Sequence, residues 1–212
     1  DPVQCLWREF NWKEKRIKPD KEDVLSYPLR TTQSIMNLAQ GLLDAEPHMR
    51  SEHDWDTYPS SIHVNVDAGV LPTLIQCHST DEELRYVDEL LSQMIAEGQS
   101  TKEIAIMCPT YLQSEDWKRV DCVSANEIHV NHFNRIKGLE FDTVIIPNLH
   151  TILSHSHHYD EDRVVLPLRK LFVAVTRARK HLIMTYSQAL PRQLEILKKY
   201  CDTEIRETTA AD

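Results

Sequence analysis

Apolar positions recur along this chain in two rhythms. Thr73 to Cys77 is a short, largely apolar run, and a helical stripe follows it, with Leu84, Val87, Leu90, Leu91, Met94 and Ile95 on one side. Thr80 and Glu83 have the spacing of a capping box, and Gly98 supplies the stop. Glu103 to Cys108 (EIAIMC) is the next strand, ended by Pro109. Strand, amphipathic helix and strand in that order form a βαβ unit, which implies a parallel sheet with helices on its faces.

The rest of the pattern extends that unit. Thr31 or Thr32 can N-cap a helix on which Ile35, Leu38, Ala39, Leu42 and Leu43 keep helical spacing, so Arg30 stands just before a helix N-terminus whose amides favour anions. Further strands are predicted at residues 24–26, 61–66, 126–133, 143–146 and 181–186, and further helices over 168–179 and 191–200. Residues 44–60 and 148–166 read as surface loops, 111–125 as polar and irregular, and 206–212 as a disordered tail. The predicted fold class is therefore α/β, a three-layer αβα domain over residues 24–205 with a mainly parallel sheet. Residues 1–23, with a mixed charge run from Lys13 to Lys21, read as a solvated connector, and the abrupt opening from Asp1 to Trp7 as a boundary inside a longer chain.

Composition narrows the function classes. At 212 residues the chain can bury a sizeable core, and it contains no run of membrane-span length and no leader-like start, so it is expected in the cytoplasm. The five cysteines are scattered without a C-x-x-C pair, which points to buried or idle thiols. A net charge of −9 opposes a generic phosphate-coating surface, so any nucleic-acid contact must be local.

The candidate chemistry gathers around Val130 to Ile146, VNHFNRIKGLEFDTVII. A polar turn carrying Lys137-Gly138 passes through Glu140 into a buried strand, a layout that suits a ligand edge. With residues 168–179 helical, Arg169, Thr176 and Lys180 share a polar stripe, and Arg177 leaves the helix beside a strand edge, where a guanidinium can fork onto phosphate oxygens. His150, His155, His157, His158 and Asp160 cluster, but their spacing matches no established metal site and a solvated loop is the simpler expectation.

Four segments in order, DPVQCLW, YPLRTT, HFNRIKGLEFD and RKLFVAVTRARKHL, resemble the later motifs of the UvrD/Rep/PcrA-type superfamily 1 helicases. The resemblance spans Asp1 to about Ser187 and implies the second RecA-like (P-loop NTPase-like) domain of an ATP-dependent DNA helicase or translocase. It further implies that Gln4 senses the terminal phosphate of ATP, that Arg30 and Arg177 are arginine fingers, and that Glu140 accepts a ribose hydrogen bond beside Gly138. His132 and Asn134 fall at the nucleic-acid phosphates, and Trp7 where a base is stacked. Leu29 and Phe172 stand where the family has tyrosines, His132 where it has threonine, and Asn134 where it has histidine.

The chain has four glycines and no G-x-x-x-x-G-K-[ST] loop. The resemblance therefore implies a composite site: ATP and Mg2+ held largely by an N-terminal RecA-like domain of the same protein, with the magnesium ligands there, and this chain inactive on its own. Single-stranded or partly duplex DNA is the implied substrate, with a nucleoid-associated location and no membrane. The interval between Arg30 and Lys137 leaves no room for an inserted helical domain. A degenerate helicase-like scaffold or regulatory nucleic-acid-binding module without unwinding activity is the alternative.

Overall fold

A computed structural model describes residues 31–46, 49, 67–136, 138–154 and 161–206. In chain order its elements are α1 (Gln33–Ala45), β1 (Thr73–Gln76), α2 (Thr80–Ala96), β2 (Ile104–Cys108), α3 (Tyr111–Trp117), α4 (Asp121–Ala125), β3 (His129–His132), β4 (Phe141–Ile146), α5 (Glu161–Val175), β5 (Ala178–Tyr186) and β6 (Asp202–Ile205). Short 3-10 turns occupy Thr101–Glu103, Phe133–Arg135 and Leu149–Thr151, and a longer 3-10 segment occupies Arg192–Lys199. The strands lie in the order β3-β2-β4-β5-β1-β6, and every pairing is parallel.

Alternation along the inner strands produces two cores. Leu74, Ala105, Met107, Val144, Ile146, Leu182 and Met184 face one side, under α1, α5 and the 192–199 segment. Ile75, Ile104, Ile106, Ile145 and Ile183 face the other, against Val87 and Leu91 of α2, Trp117 of α3 and Val123 of α4. Each fully buried aliphatic side chain contributes about 2 kcal/mol of transfer free energy. Burial on both faces explains why β2 and the Val144–Ile146 end of β4 read as apolar runs. The three-layer αβα architecture with a parallel sheet is the expected one.

Several local expectations are corrected. Residues 111–125 are α3 and α4, not irregular, and α3 opens with a full capping box between Thr110 and Gln113. The 148–166 loop contracts at both ends: Asn148, Leu149 and His150 are buried, and α5 starts at Glu161 with Pro167 inside it, a residue that marks a helix start more often than an interior. Because α5 ends at Val175, Lys180 belongs to β5 and the polar stripe joining Arg169, Thr176 and Lys180 does not form. Arg169 instead bonds the Met49 carbonyl through Nε at 3.0 Å. Residues 192–199 are 3-10 rather than α, and β6 was not anticipated, since all four of its residues are exposed and carry no apolar alternation.

The α2 cap also differs. Ser79, not Thr80, accepts the Glu82 amide, which releases Glu83 from a capping role. Glu83 is fully buried and accepts from the Asn148 amide at 2.5 Å, the Asn148 side chain at 3.3 Å and the Thr185 hydroxyl at 2.5 Å. Asn148 adopts a left-handed turn at the end of β4, with φ 56°, and its Oδ1 accepts from Trp117 Nε1 at 3.1 Å. One carboxyl thus ties α2 to the ends of β4 and β5.

Candidate nucleotide edge and nucleic-acid edge

Between β3 and β4 the chain makes the 3-10 turn at Phe133–Arg135. It leaves β3 at His132, crosses the sheet with Phe133 and Ile136 sunk in the first core, and enters β4 at Phe141. Because the strands are parallel, His132 and Asn134 lie at the edge where strands end, and Gly138 and Glu140 at the edge where they begin. A doubly wound sheet leads one to expect ligands at the carboxyl ends; the candidate nucleotide residues sit at the opposite edge.

At the starting edge, Phe141 and Ala178 are partners in the β4–β5 pairing, and the Phe141 amide donates to the Arg177 carbonyl at 3.0 Å. The buried Arg177 side chain turns back over the same loop. Its Nε donates to the Val173 carbonyl at 3.0 Å, Nη2 to the Thr176 hydroxyl at 3.2 Å and Nη1 to the Leu139 carbonyl at 3.5 Å. Arg177 and Glu140, far apart in sequence, are therefore brought to one edge. Gly138 has φ +82°, and a Cβ there would meet nothing within 4 Å, so the backbone faces open space.

Helix α1 reaches the same edge. The Thr31 hydroxyl donates to the Ala178 carbonyl at 2.5 Å. Arg30 precedes Thr31 in the chain and lies outside the described residues, as do Gln4, Trp7, Leu29 and Lys137. The first amides of α1 are not open to an anion as expected: Gln33 and Ser34 donate to the Asp67 and Ala68 carbonyls, both at 3.1 Å. The Thr32 hydroxyl is buried with no protein partner, and Gly69 packs so closely on Thr32 that a Cβ would lie 2.3 Å from it.

An ion network that the sequence did not reveal braces this edge. Arg179 bonds Asp142 at 2.7 Å and also reaches Glu103, while Lys180 bonds Asp142 at 2.8 Å. Burial raises the Asp142 carboxyl, but Lys180 and Arg179 outweigh it and leave its pKa lowered. Arg179 and Lys180 are consecutive residues near the start of β5, and their partners on Glu103 and Asp142 appear only once the strands pair.

Residues 109–189, from the end of β2 through β5, match the family model of the UvrD-like helicase C-terminal domain. That stretch is similar to the C-terminal domain of UvrD-like helicases. Its match takes in His132, Asn134, Gly138, Glu140 and Arg177. In fold the chain is similar to the C-terminal domain of a possible DNA helicase from Lactobacillus plantarum WCFS1, with a TM-score of 0.55 and 17% identity over 85% of this chain and 100% of that one. A search of curated proteins found no match.

At the far edge of the sheet, the His132 and Tyr111 rings meet at right angles, with centroids 5.7 Å apart. Asn134 is half-buried and its Oδ1 has no protein partner. Burial lowers the His132 pKa, and Arg135, Lys118 and Lys170 lower it further. The His150 ring belongs to the fold rather than to a solvated loop: it is 9% exposed, and its Nδ1 accepts the Ser187 amide at 3.3 Å. His155, His157, His158 and Asp160 lie outside the described residues.

Cys77, Cys108 and Cys201 are held in the thiol form. Burial pushes Cys77 up to about 12, with Glu83 and Glu82 adding to it, and pushes Cys201 up to about 12; Cys108 is raised by burial as well. Among the described residues, no group of three or more His, Cys, Asp or Glu is placed to hold a metal ion, and no helix is long and apolar enough to cross a membrane.

Proposed function

We propose that this chain is the second motor domain of an ATP-dependent DNA helicase or translocase and lends half of a composite ATP site. The supporting observation is the joining of Arg177 to the Gly138–Glu140 loop at the start of β4 and β5. ATP would bring the chemistry of phosphoryl transfer, with Mg2+ held by an N-terminal RecA-like domain of the same protein, which would also supply the phosphate loop. The open face of Gly138 suits a nucleotide approaching the backbone.

In that site Arg177 neutralises charge that develops on the transferring phosphoryl group, and Arg30 does so from the α1 side. Gln4 reads the presence of the terminal phosphate, and Glu140 accepts a hydrogen bond from the ribose. Arg177 has a defined route to this role. Its Nη1 contact with Leu139 is long, and a charge-assisted bond to a phosphate oxygen is stronger than one to a neutral carbonyl. Exchange of the Leu139 carbonyl for phosphate would release the loop that leads back to His132. His132 and Asn134 hold single-stranded or partly duplex DNA at the other edge, with Trp7 stacking on a base, so nucleotide and nucleic acid are linked through residues 133–140.

A non-unwinding scaffold or regulatory module draws support from Leu29 and Asn134, which depart from the family pattern. Strand displacement separates the two readings. The full-length protein should displace a labelled strand from a tailed duplex with ATP and not with a non-hydrolysable analogue. Nucleic-acid binding without ATP-dependent displacement would favour the scaffold.

A further inference from the structure

β6 forms one flank of the sheet, and among the described residues β1 is its only strand neighbour. Its amides bond inward at alternate positions: Asp202 donates to the Pro72 carbonyl at 2.9 Å and Arg206 to the Gln76 carbonyl at 3.0 Å. Every second residue of a parallel strand bonds a given neighbour, so the N–H and C=O of Thr203 and Ile205 point away from β1. All four β6 residues are exposed, Ile205 to 71%. Asp202, Glu204 and Arg206 alternate onto the face opposite Ile205. That face carries α2, since the Arg206 guanidinium bonds Glu89 at 3.1 Å and lies 4.6 Å from the centre of the Tyr86 ring.

A flank with outward N–H and C=O groups is a template for another strand, and charges on it ordinarily deter one. Antiparallel pairing of β6 with β6 of a second copy is a two-fold arrangement in which each copy uses the same surface. Residues that exchange both hydrogen bonds stand directly opposite one another, so the outward groups at Thr203 and Ile205 permit three registers. With Thr203 opposite Thr203, Asp202 faces Glu204 on both sides of the axis. With Thr203 opposite Ile205, Glu204 faces Glu204. With Ile205 opposite Ile205, Glu204 faces Arg206 on both sides. Like charges directly opposite destabilise a strand pair and unlike charges support it. The charges on β6 therefore exclude two registers and select the third.

We propose that β6 is a self-pairing edge at which a second copy of this chain continues the sheet, with Ile205 at the two-fold axis and Glu204 of each copy bonded to Arg206 of the other. Arg206 is already held over Tyr86, so its guanidinium meets the incoming carboxylate in a defined position, and its five donors let it keep Glu89 as well. The two Ile205 side chains cover each other on the opposite face. The joint lies on the flank of the sheet and uses no residue of the edges where strands begin or end, so it is independent of the function proposed above.

Sedimentation equilibrium of the full-length protein tests it. β6 is four residues long, so the interface is small and the dimer should form reversibly, over loadings up to about 1 mM. Glu204→Arg and Arg206→Glu should each weaken self-association by about tenfold or more, since each sets like charges opposite on both sides of the axis. Mixed in equal amounts, the two variants should pair with each other to within about fivefold of wild type, because every facing pair is then of opposite sign. Ile205→Pro should abolish pairing and keep the bonds to β1, since it removes an outward amide and leaves those of Glu204 and Arg206 in place. A mixture of the charge variants that stays monomeric overturns the proposal. A dimer that Ile205→Pro leaves intact places self-association on another surface and overturns it as well. A wild type that stays monomeric throughout also overturns it and leaves the flank to a strand of some other protein; none of these outcomes touches the helicase reading.

Discussion

Glu83 shows what one misplaced carboxyl would do to this domain. It satisfies three donors in a fully buried position, so Glu83→Ala should leave the Asn148 amide and the Thr185 hydroxyl unpaired and cost about 3 kcal/mol. Denaturant unfolding measures this; a loss below about 1 kcal/mol would mean that the pocket relaxes around the gap. Three histidines set a separate pH dependence. Burial lowers the pKa of His129, His132 and His150, so as pH falls the unfolded chain takes up protons before the folded one. Their contribution is complete above the unfolded value of about 6.5 and is lost as pH drops through the folded values. Thermal unfolding should therefore show Tm declining below about pH 6.5, and the decline should flatten when all three are replaced by asparagine or glutamine.

Among the elements, the crossover from β3 to β4 carries the most consequence. Phe133 is 1% exposed and pins the crossover in the core, so Phe133→Ala should destabilise by about 4 kcal/mol. A Phe133→Leu variant, milder in stability, should still weaken the response of ATP hydrolysis to added single strands if the crossover links the two edges. Equal stimulation in that variant and in wild type would separate the edges functionally. The same scale explains what was legible beforehand. Strands buried on both faces and the Leu84–Ile95 stripe announce themselves because their period reflects a local face. The residues gathered at the two edges were legible through short ordered segments, but the assignment of each edge to one end of the sheet was not, because it depends on strand pairing. Glu83 hid because its spacing imitates a capping box while Ser79 takes that role. Helix α3 was missed although T-x-x-Q at Thr110 and Gln113 is a helix-start signal. β6 offered nothing to find, since all its residues face solvent.

At the scale of the whole molecule, a parallel sheet keeps two sets of residues apart and one crossover connects them. Arg177, Glu140 and Gly138 share the edge where strands begin, and His132, Asn134 and Tyr111 share the edge where they end. ATP hydrolysis by the full-length protein, wild type against Arg177→Ala, with saturating single-stranded DNA, tests the central claim most directly. The account predicts that the variant binds ATP nearly as well as wild type but turns it over at least about a hundredfold more slowly, as loss of a phosphate-neutralising arginine should. Near-normal turnover in Arg177→Ala would contradict it.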